Sequence, residues 1–426
     1  MAALLGRRAA QWRPWQDPVA MSFPLRSTRR LITVLAAATS FLCSGLTAGA
    51  QAPISEAENE ADAAGRGIRA GSFLVFPALE LRAGYSDNIN LSSTNPVGGK
   101  IVDVAPELRW TSDWSRHELS GAASGVLSYP GGGSSANEGS AAASTAARID
   151  ISSQMTLRGN IGYELDFEPG RRDHVYRASS ALRYGFNRLS LELRGGIDVF
   201  DYSANRAGAV SVSEVSVDDY RQNSLALRAA YEVSPLTGLF AEAGLNRRDF
   251  RQKVDASGFG RGSHGVWGAL GISRSNGSAL QGELALTYRV QRPDDARLAQ
   301  VAGLGVDALL TWQASALTRL TLAAATDIGE TTLAGASGYR RQTASIALDH
   351  SLGRRAAING KLSYERNDFD GVAIEEQTLE AALGVEYFVS RAAVLTADFS
   401  HLRFDTTQPN ADYRENRFTL GLRLER

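Results

Sequence analysis

Arg158, Glu164, Glu192, Arg194, Asp198, Arg228, Glu242, Glu283, Arg289, Asp307, Asp327, Lys361, Glu380, Glu386 and Asp398 are the residues most able to do chemistry in this chain. Each lies in a segment where apolar and polar residues alternate with a period of two. In Leu157–Phe167, Leu157, Ile161, Tyr163, Leu165 and Phe167 fall in one phase, and Arg158, Asn160, Glu164 and Asp166 fall in the other. In an extended strand, successive side chains leave opposite faces, so each segment carries its charges on one face and its aliphatic groups on the other. Fixed charges of both signs on one face can solvate ions and hydrophilic solutes, so these fifteen residues are read as lining a wet lumen. Arginine facing lipid would cost about 2–4 kcal/mol at the membrane midplane, so the apolar phase must be the outer one.

The other candidates for chemistry are weaker. His117, His174, His264, His350 and His401 are scattered with no metal-ligand spacing, and no Gly-x-Ser-x-Gly element accompanies them. Catalysis, a metal site and a cofactor are therefore not expected. Gly258-Phe259-Gly260-Arg261-Gly262 and Gly131-Gly132-Gly133 lack the following Lys-Ser/Thr of a phosphate-binding loop and read as flexible connections. Five aspartates sit beside an aromatic residue near segment ends: Asp166-Phe167, Asp201-Tyr202, Asp249-Phe250, Asp368-Phe369 and Phe404-Asp405. They read as an aromatic girdle beside turn-starting aspartates, with a sugar-contacting rim as the alternative.

The elements that must position these residues number about eighteen, each roughly ten to fifteen residues long, the length and dyad pattern of a transmembrane β-barrel. Their connections alternate in kind. Tight turns fall near 113–115, 152–154, 187–188, 235–237, 276–277, 316–318, 353–354 and 390–391. Longer loops fall at 86–100, 130–138, 168–174, 203–217, 251–261, 293–299, 331–338, 370–374 and 406–413. The expected fold is an all-β, up-and-down antiparallel barrel over residues 72–426, with eight periplasmic turns, nine extracellular loops and both ends periplasmic. A propeller would need apolar residues on both faces of its central strands, and a sandwich would need a linker to divide the chain. Neither is present.

Composition agrees. Glycine, at 42 residues, is frequent inside strands, where it permits bends and close approaches. Arg26-Ser27-Thr28-Arg29-Arg30, the apolar run Leu31–Leu46 and Ala48-Gly49-Ala50 have the layout of a secretory signal peptide over residues 1–50, with Met21 an alternative start. Residues 51–71 then form a polar periplasmic tail. Cys43, the one cysteine, falls inside the signal peptide behind Phe41-Leu42, a context unsuited to lipid attachment. Residues 51–426 carry 39 basic and 45 acidic side chains, a net charge of −6, which disfavours nucleic acid as a partner.

Gly84-Tyr85-Ser86-Asp87-Asn88-Ile89-Asn90-Leu91, followed by Val104-Ala105-Pro106-Glu107-Leu108, resembles the opening of the β-barrel porin 2 family of Gram-negative bacteria. That resemblance implies an outer-membrane barrel associated with exopolysaccharide export. The expected partners are then outer-membrane lipid, a polysaccharide cargo and periplasmic export components. Passage of small hydrophilic solutes is the alternative function, and a plugged structural or adhesive barrel is a third.

Overall fold

A computed structural model describes residues 67–131, 137–168, 171–202, 218–274 and 279–426. The expected signal peptide, the Gly131-Gly132-Gly133 run beyond Gly131, the turn at 276–277 and the loop at 203–217 lie outside the described residues. The strands are β1 (Ile68–Ala70), β2 (Phe73–Ser86), β3 (Gly99–Ser112), β4 (Glu118–Pro130), β5 (Glu138–Asp150), β6 (Met155–Glu168), β7 (Arg171–Gly185), β8 (Leu189–Tyr202), β9 (Tyr220–Ser234), β10 (Thr237–Phe250), β11 (Ser263–Arg274), β12 (Leu280–Pro293), β13 (Val301–Ser315), β14 (Thr318–Gly329), β15 (Gly338–Ser351), β16 (Ala356–Asp370), β17 (Glu375–Ser390), β18 (Ala393–Thr406) and β19 (Tyr413–Glu425).

From β2 onward every strand pairs antiparallel with its neighbour in sequence, and β19 returns to β2 with register from Arg417↔Ser86 to Glu425↔Ala78. The result is a closed barrel of eighteen strands, as the alternation predicts. The three-residue β1 lies in the segment read as tail and adds a ribbon outside that count. It pairs Ile68–Ala70 with Phe73–Val75, the stretch of β2 that lies below the reach of β19. An unpaired sheet edge is a template for unwanted association, and β1 covers the end of one.

The alternation becomes two surfaces. On β12, Leu284, Leu286 and Tyr288 are 42%, 66% and 51% exposed on the outer face, while Ala285 and Thr287 between them are buried. Leu79, Leu81, Leu108, Leu420, Leu422 and Leu424 are likewise exposed outward. Large exposed aliphatic groups on strand after strand form the apolar band that lipid covers in a membrane barrel.

One expected loop is shorter than its sequence suggests. Residues 168–174 read as a long connection, but β6 and β7 pair up to Glu168↔Arg171, leaving two residues between them. Cross-strand contacts hold this extension. The Tyr163 and Tyr176 rings stand 5.1 Å apart, and Arg177 Nη1 donates to Glu164 Oε1 at 2.5 Å.

Among the described residues, the sheet parts between β13 and β14. β13 and β14 pair from Ser315↔Thr318 up to Ala308↔Ala324 and no further. Above that point Val301–Asp307 stays paired with β12, and Ala325–Gly329 stays paired with β15. Two intact hairpins therefore separate at their upper ends, near the rim that carries the long loops.

Candidate functional site: the inward face and its constriction

The fifteen charged residues singled out in the sequence all lie in the strand phase opposite the exposed aliphatic groups. They do not form one cluster. On β8 to β12, Arg194 pairs with Glu242, and its Nε is 3.4 Å from Glu192. Arg228 Nη2 donates to Glu283 at 2.6 Å, and its guanidinium sits 3.6 Å over the Phe240 ring. Arg289 meets Asp307 at 2.6 Å, and Arg177, a residue outside the fifteen, takes up Glu164. Lys361, Glu380, Glu386 and Asp398 stand on β16, β17 and β18, with Ser363 Oγ 3.5 Å from Glu380. Arg158 faces another arginine, Arg148, across the β5–β6 ladder and has no ion pair among the described residues. Asp198 is buried on β8, and Asp327 on β14 accepts the amide of Ile328 at 2.8 Å.

The lining is uneven around the barrel. β4 to β7 turn Ala122, Ser124, Ser144, Asn160, Gly162 and Ser179 inward, and Ser144 is exposed there. The wall beside it, beyond β4, is dense. Glu80, Arg82 and Asp103 are nearly fully buried on β2 and β3, as are Glu415 and Arg417 on β19, where Ser86 Oγ donates to Glu415 at 2.6 Å. Open space therefore runs along the small-residue wall, and the charged wall narrows the bore beside it.

At the long-loop rim the polarity of the two faces reverses. Tyr202, Phe250, Phe369 and Phe404 are not on the outer face, as a girdle would require; they turn inward, where Tyr202 stacks on Phe200 of its own strand and the other three on rings from adjacent strands. Phe200 and Tyr220 lie 4.4 Å apart, Tyr220 and Phe250 5.2 Å, Tyr339 and Phe369 4.9 Å, and Phe404 and Tyr413 5.1 Å. Their aspartate neighbours point outward: Asp249 to Arg247 at 3.1 Å, Asp368 to Arg340 at 2.9 Å and Asp405 to Arg403. Phe167 remains in the outward phase. The girdle reading fails for these four rings because Phe250, for example, is in phase with Glu242 and Phe240 rather than with Leu239 and Leu245. Their faces are also spent on one another, which removes the free platforms that a sugar-binding rim would need.

The family-like segment is a clasp. Asn88 Nδ2 donates to Arg414 O at 2.8 Å and to Ser92 O at 2.9 Å, while Asn88 Oδ1 accepts the Ser92 amide at 3.0 Å. Asp87 accepts both the backbone and the side-chain N–H of Asn416. Leu91 then packs against inward-facing Leu402, Phe404 and Tyr413. The motif ties the first loop to the last strand where the barrel closes.

The glycine-rich segment at 258–262 is ordered by hydrogen bonds. Asp255 accepts the amides of Ser257 and Phe259 and the Arg261 guanidinium at 2.6 Å. Burial pushes the Asp255 carboxyl up, but these donors outweigh it and hold the group below its ordinary range. Asp295 is held lower still by Arg297, with help from the Gly260 amide. Arg297 lies 4.4 Å over the Phe259 ring.

Of the residues that hold the parted hairpin, sequence reasoning singled out Arg289 and Asp307 as lumen-lining and missed Arg248, Ser263 and Glu330. Arg248 on β10 is buried and donates to Ile328 O at 2.8 Å and to Glu330 Oε1 at 2.5 Å, with Gln222 on its Nε at 2.6 Å. Ser263 Oγ donates to the same Glu330 oxygen at 3.1 Å. Arg289 donates to Thr326 O at 2.8 Å, and Asp307 accepts the Thr326 amide at 3.2 Å, so two side chains replace the missing ladder bonds. Arg261 donates to Ala336 O and Leu333 O, in a loop whose Leu333 and Ala336 pack on Tyr339 and Phe369. The sequence marks this arrangement faintly, by Gly303 and Gly305. A Cβ at Gly305 would lie 2.5 Å from Thr326 Cβ, and one at Gly303 would lie 3.3 Å from Arg340 Nη1. The absence of side chains there lets β14 and β15 pass close beneath β13.

The family model described as "Putative beta-barrel porin 2" matches residues 62–426. No curated protein matches the chain. Among solved structures, Pseudomonas aeruginosa OpdK with vanillate is similar at 14% identity and a TM-score of 0.43, covering 83% of this chain and 99% of that one. Pseudomonas aeruginosa OccK2 (OpdF) gives 14% identity, a TM-score of 0.43 and coverage of 82% and 98%. These are likenesses of barrel to barrel and bear on no question of cargo.

Proposed function

Since the chain belongs to the family described as "Putative beta-barrel porin 2" and is an outer-membrane β-barrel of a Gram-negative bacterium, we propose that it is a hydrated pore for small hydrophilic solutes, with cations preferred over anions. The observation that carries this reading is the inward face. Barrels of sixteen to eighteen strands leave room for an aqueous channel, and here that room is lined by ionised side chains and small polar residues. Carboxylates predominate on part of the wall: β15 to β17 turn Asp349, Glu365, Glu376, Glu380 and Glu386 inward against Arg341 and Lys361. A lumen with excess negative charge concentrates cations and repels anions.

The exopolysaccharide reading, preferred from the family resemblance, has less support in the geometry. The inward aromatic rings stack on one another and offer no face to a passing sugar, and the long-loop rim is crossed by buried side-chain bonds. Export components in the periplasm are not required by a diffusion pore. Planar-bilayer recording tests the proposal. Discrete conductance steps and a reversal potential of cation-selective sign in a KCl gradient are expected. Silence of the folded barrel, or anion selectivity, would refute it.

A further inference from the structure

Arg248 and the top of β14 bond to each other although β11, β12 and β13 lie between their strands. Four inter-strand steps of about 4.8 Å separate β10 from β14 along the wall, far more than an arginine side chain spans. The bonds from Arg248 to Ile328 O and Glu330, and from Ser263 to Glu330, therefore require the upper end of β14 to lie across the inner face of β11 to β13. The parted ladder above Ala308↔Ala324 releases it, and the glycines at 303 and 305 give it clearance. Arg261 anchors the following loop from the same side. Ile328 is buried even though it lies in the outward phase of β14, as expected for a strand end that another strand covers.

We infer that this inward-lying top of the β14–β15 hairpin is the size-selecting constriction of the pore, and that Arg248 and Glu330 are the residues that hold it there. The inference rests on the pore reading above and adds what sets the size limit. A cylinder of eighteen strands would admit solutes according to its girth; here the limit is set by one hairpin lying across part of the bore. Buried charge pairs resist loosening, because removing one partner leaves the other buried and uncompensated. Loss of Arg248 should thus free the strand end rather than leave it in place. Asp307 and Arg289 act at the root of the same hairpin, where they take over the ladder bonds that β13 does not supply.

The test uses the full chain, folded into bilayers and liposomes, with single-channel conductance and liposome swelling in uncharged sugars of graded size. Two variants open the constriction by different means: Arg248→Ala releases the strand end, and replacement of residues 331–336 by a two-residue Asn-Gly turn removes the loop that Arg261 anchors and with it part of the constriction's bulk. Arg423→Ala is the control, since it removes an inward ion pair of similar chemistry, Arg423 with Glu107 at 3.0 Å, far from the hairpin. Folding of each variant is checked by heat-modifiable migration on gels. Both releasing variants should show a severalfold rise in conductance and admit larger sugars, with the control unchanged. An unchanged size limit in a folded, conducting released variant would overturn it, as would an equal rise in the Arg423 control, and in both cases the pore reading would survive. If the folded wild type and all folded variants are silent, the pore reading itself fails and the inference fails with it. Should Arg248→Ala not fold, the shortened loop decides.

Discussion

At the scale of single residues, two side chains one position apart on a barrel strand live in different solvents. Leu286 is 66% exposed on the outer face of β12, and Ser144 is exposed on the inner face of β5. Leu286→Arg should impair assembly, at a cost of about 2–4 kcal/mol near the midplane. Ser144→Arg should fold normally and shift ion selectivity toward anions, read from heat-modifiable migration and reversal potential. Equal tolerance of the two would mean that the faces are misassigned. From sequence alone Thr287 would serve as the inner member of such a pair, since it is in phase with Glu283 and Arg289. It is 2% exposed, and its Oγ1 lies 2.9 Å from where a Cβ on Gly305 would stand, so an arginine has no room there. Phase was legible in the sequence because it is a property of one strand. Room was not, because it depends on how β13 and β14 separate.

At the scale of elements, the loop at 251–262 is a rigid piece built on two carboxylates. Asp255 and Asp295 both titrate below the ordinary carboxylate range. A depressed carboxyl supplies its stabilisation at all pH values above its unfolded pKa and loses it only as pH falls through the lower, folded value. The amides of Ser257, Phe259, Gly260 and Arg297, which donate to these groups, should stay protected from hydrogen exchange as pH falls through about 4, and lose protection only below it. Loss of protection already at pH 5 would contradict the arrangement. The sequence read this segment as flexible because glycine permits many conformations. What fixes it are donors from residues up to 39 positions away, such as Arg297 to Gly258 O, and spacing does not report such partners. Strand number, strand length and the alternation of turns with loops were legible, since each follows from local pattern. The inward aromatic rings were legible in principle from the phase of Phe250 against Glu242. The crossing bonds of Arg248 were not, because nothing local in β10 marks a partner on β14.

At the scale of the whole molecule, the barrel depends on one pairing between its ends, the ladder of β19 with β2, and Asn88 secures its upper end. Asn88→Ala removes the three hydrogen bonds of its side chain, with Ser92 twice and with Arg414, and leaves partly buried backbone groups unpaired. A loss of about 1–3 kcal/mol is expected for each buried group left unsatisfied, read as a lower urea midpoint; no shift would remove the clasp from the closure. The same pairing has a kinetic consequence. Ser86 and Glu415 are 329 residues apart in sequence, so the bond between them can form only after every intervening hairpin has brought its ends near. Contacts of such separation make folding slow, because the entropy of ordering the chain is lost before they form. A contact absent from the folding transition state slows unfolding rather than speeding folding. If the β19–β2 closure forms after the rate-limiting step, its strength appears as lifetime: a barrel slow to close would also be slow to open, and its persistence in detergent would be governed by a rate rather than by an equilibrium.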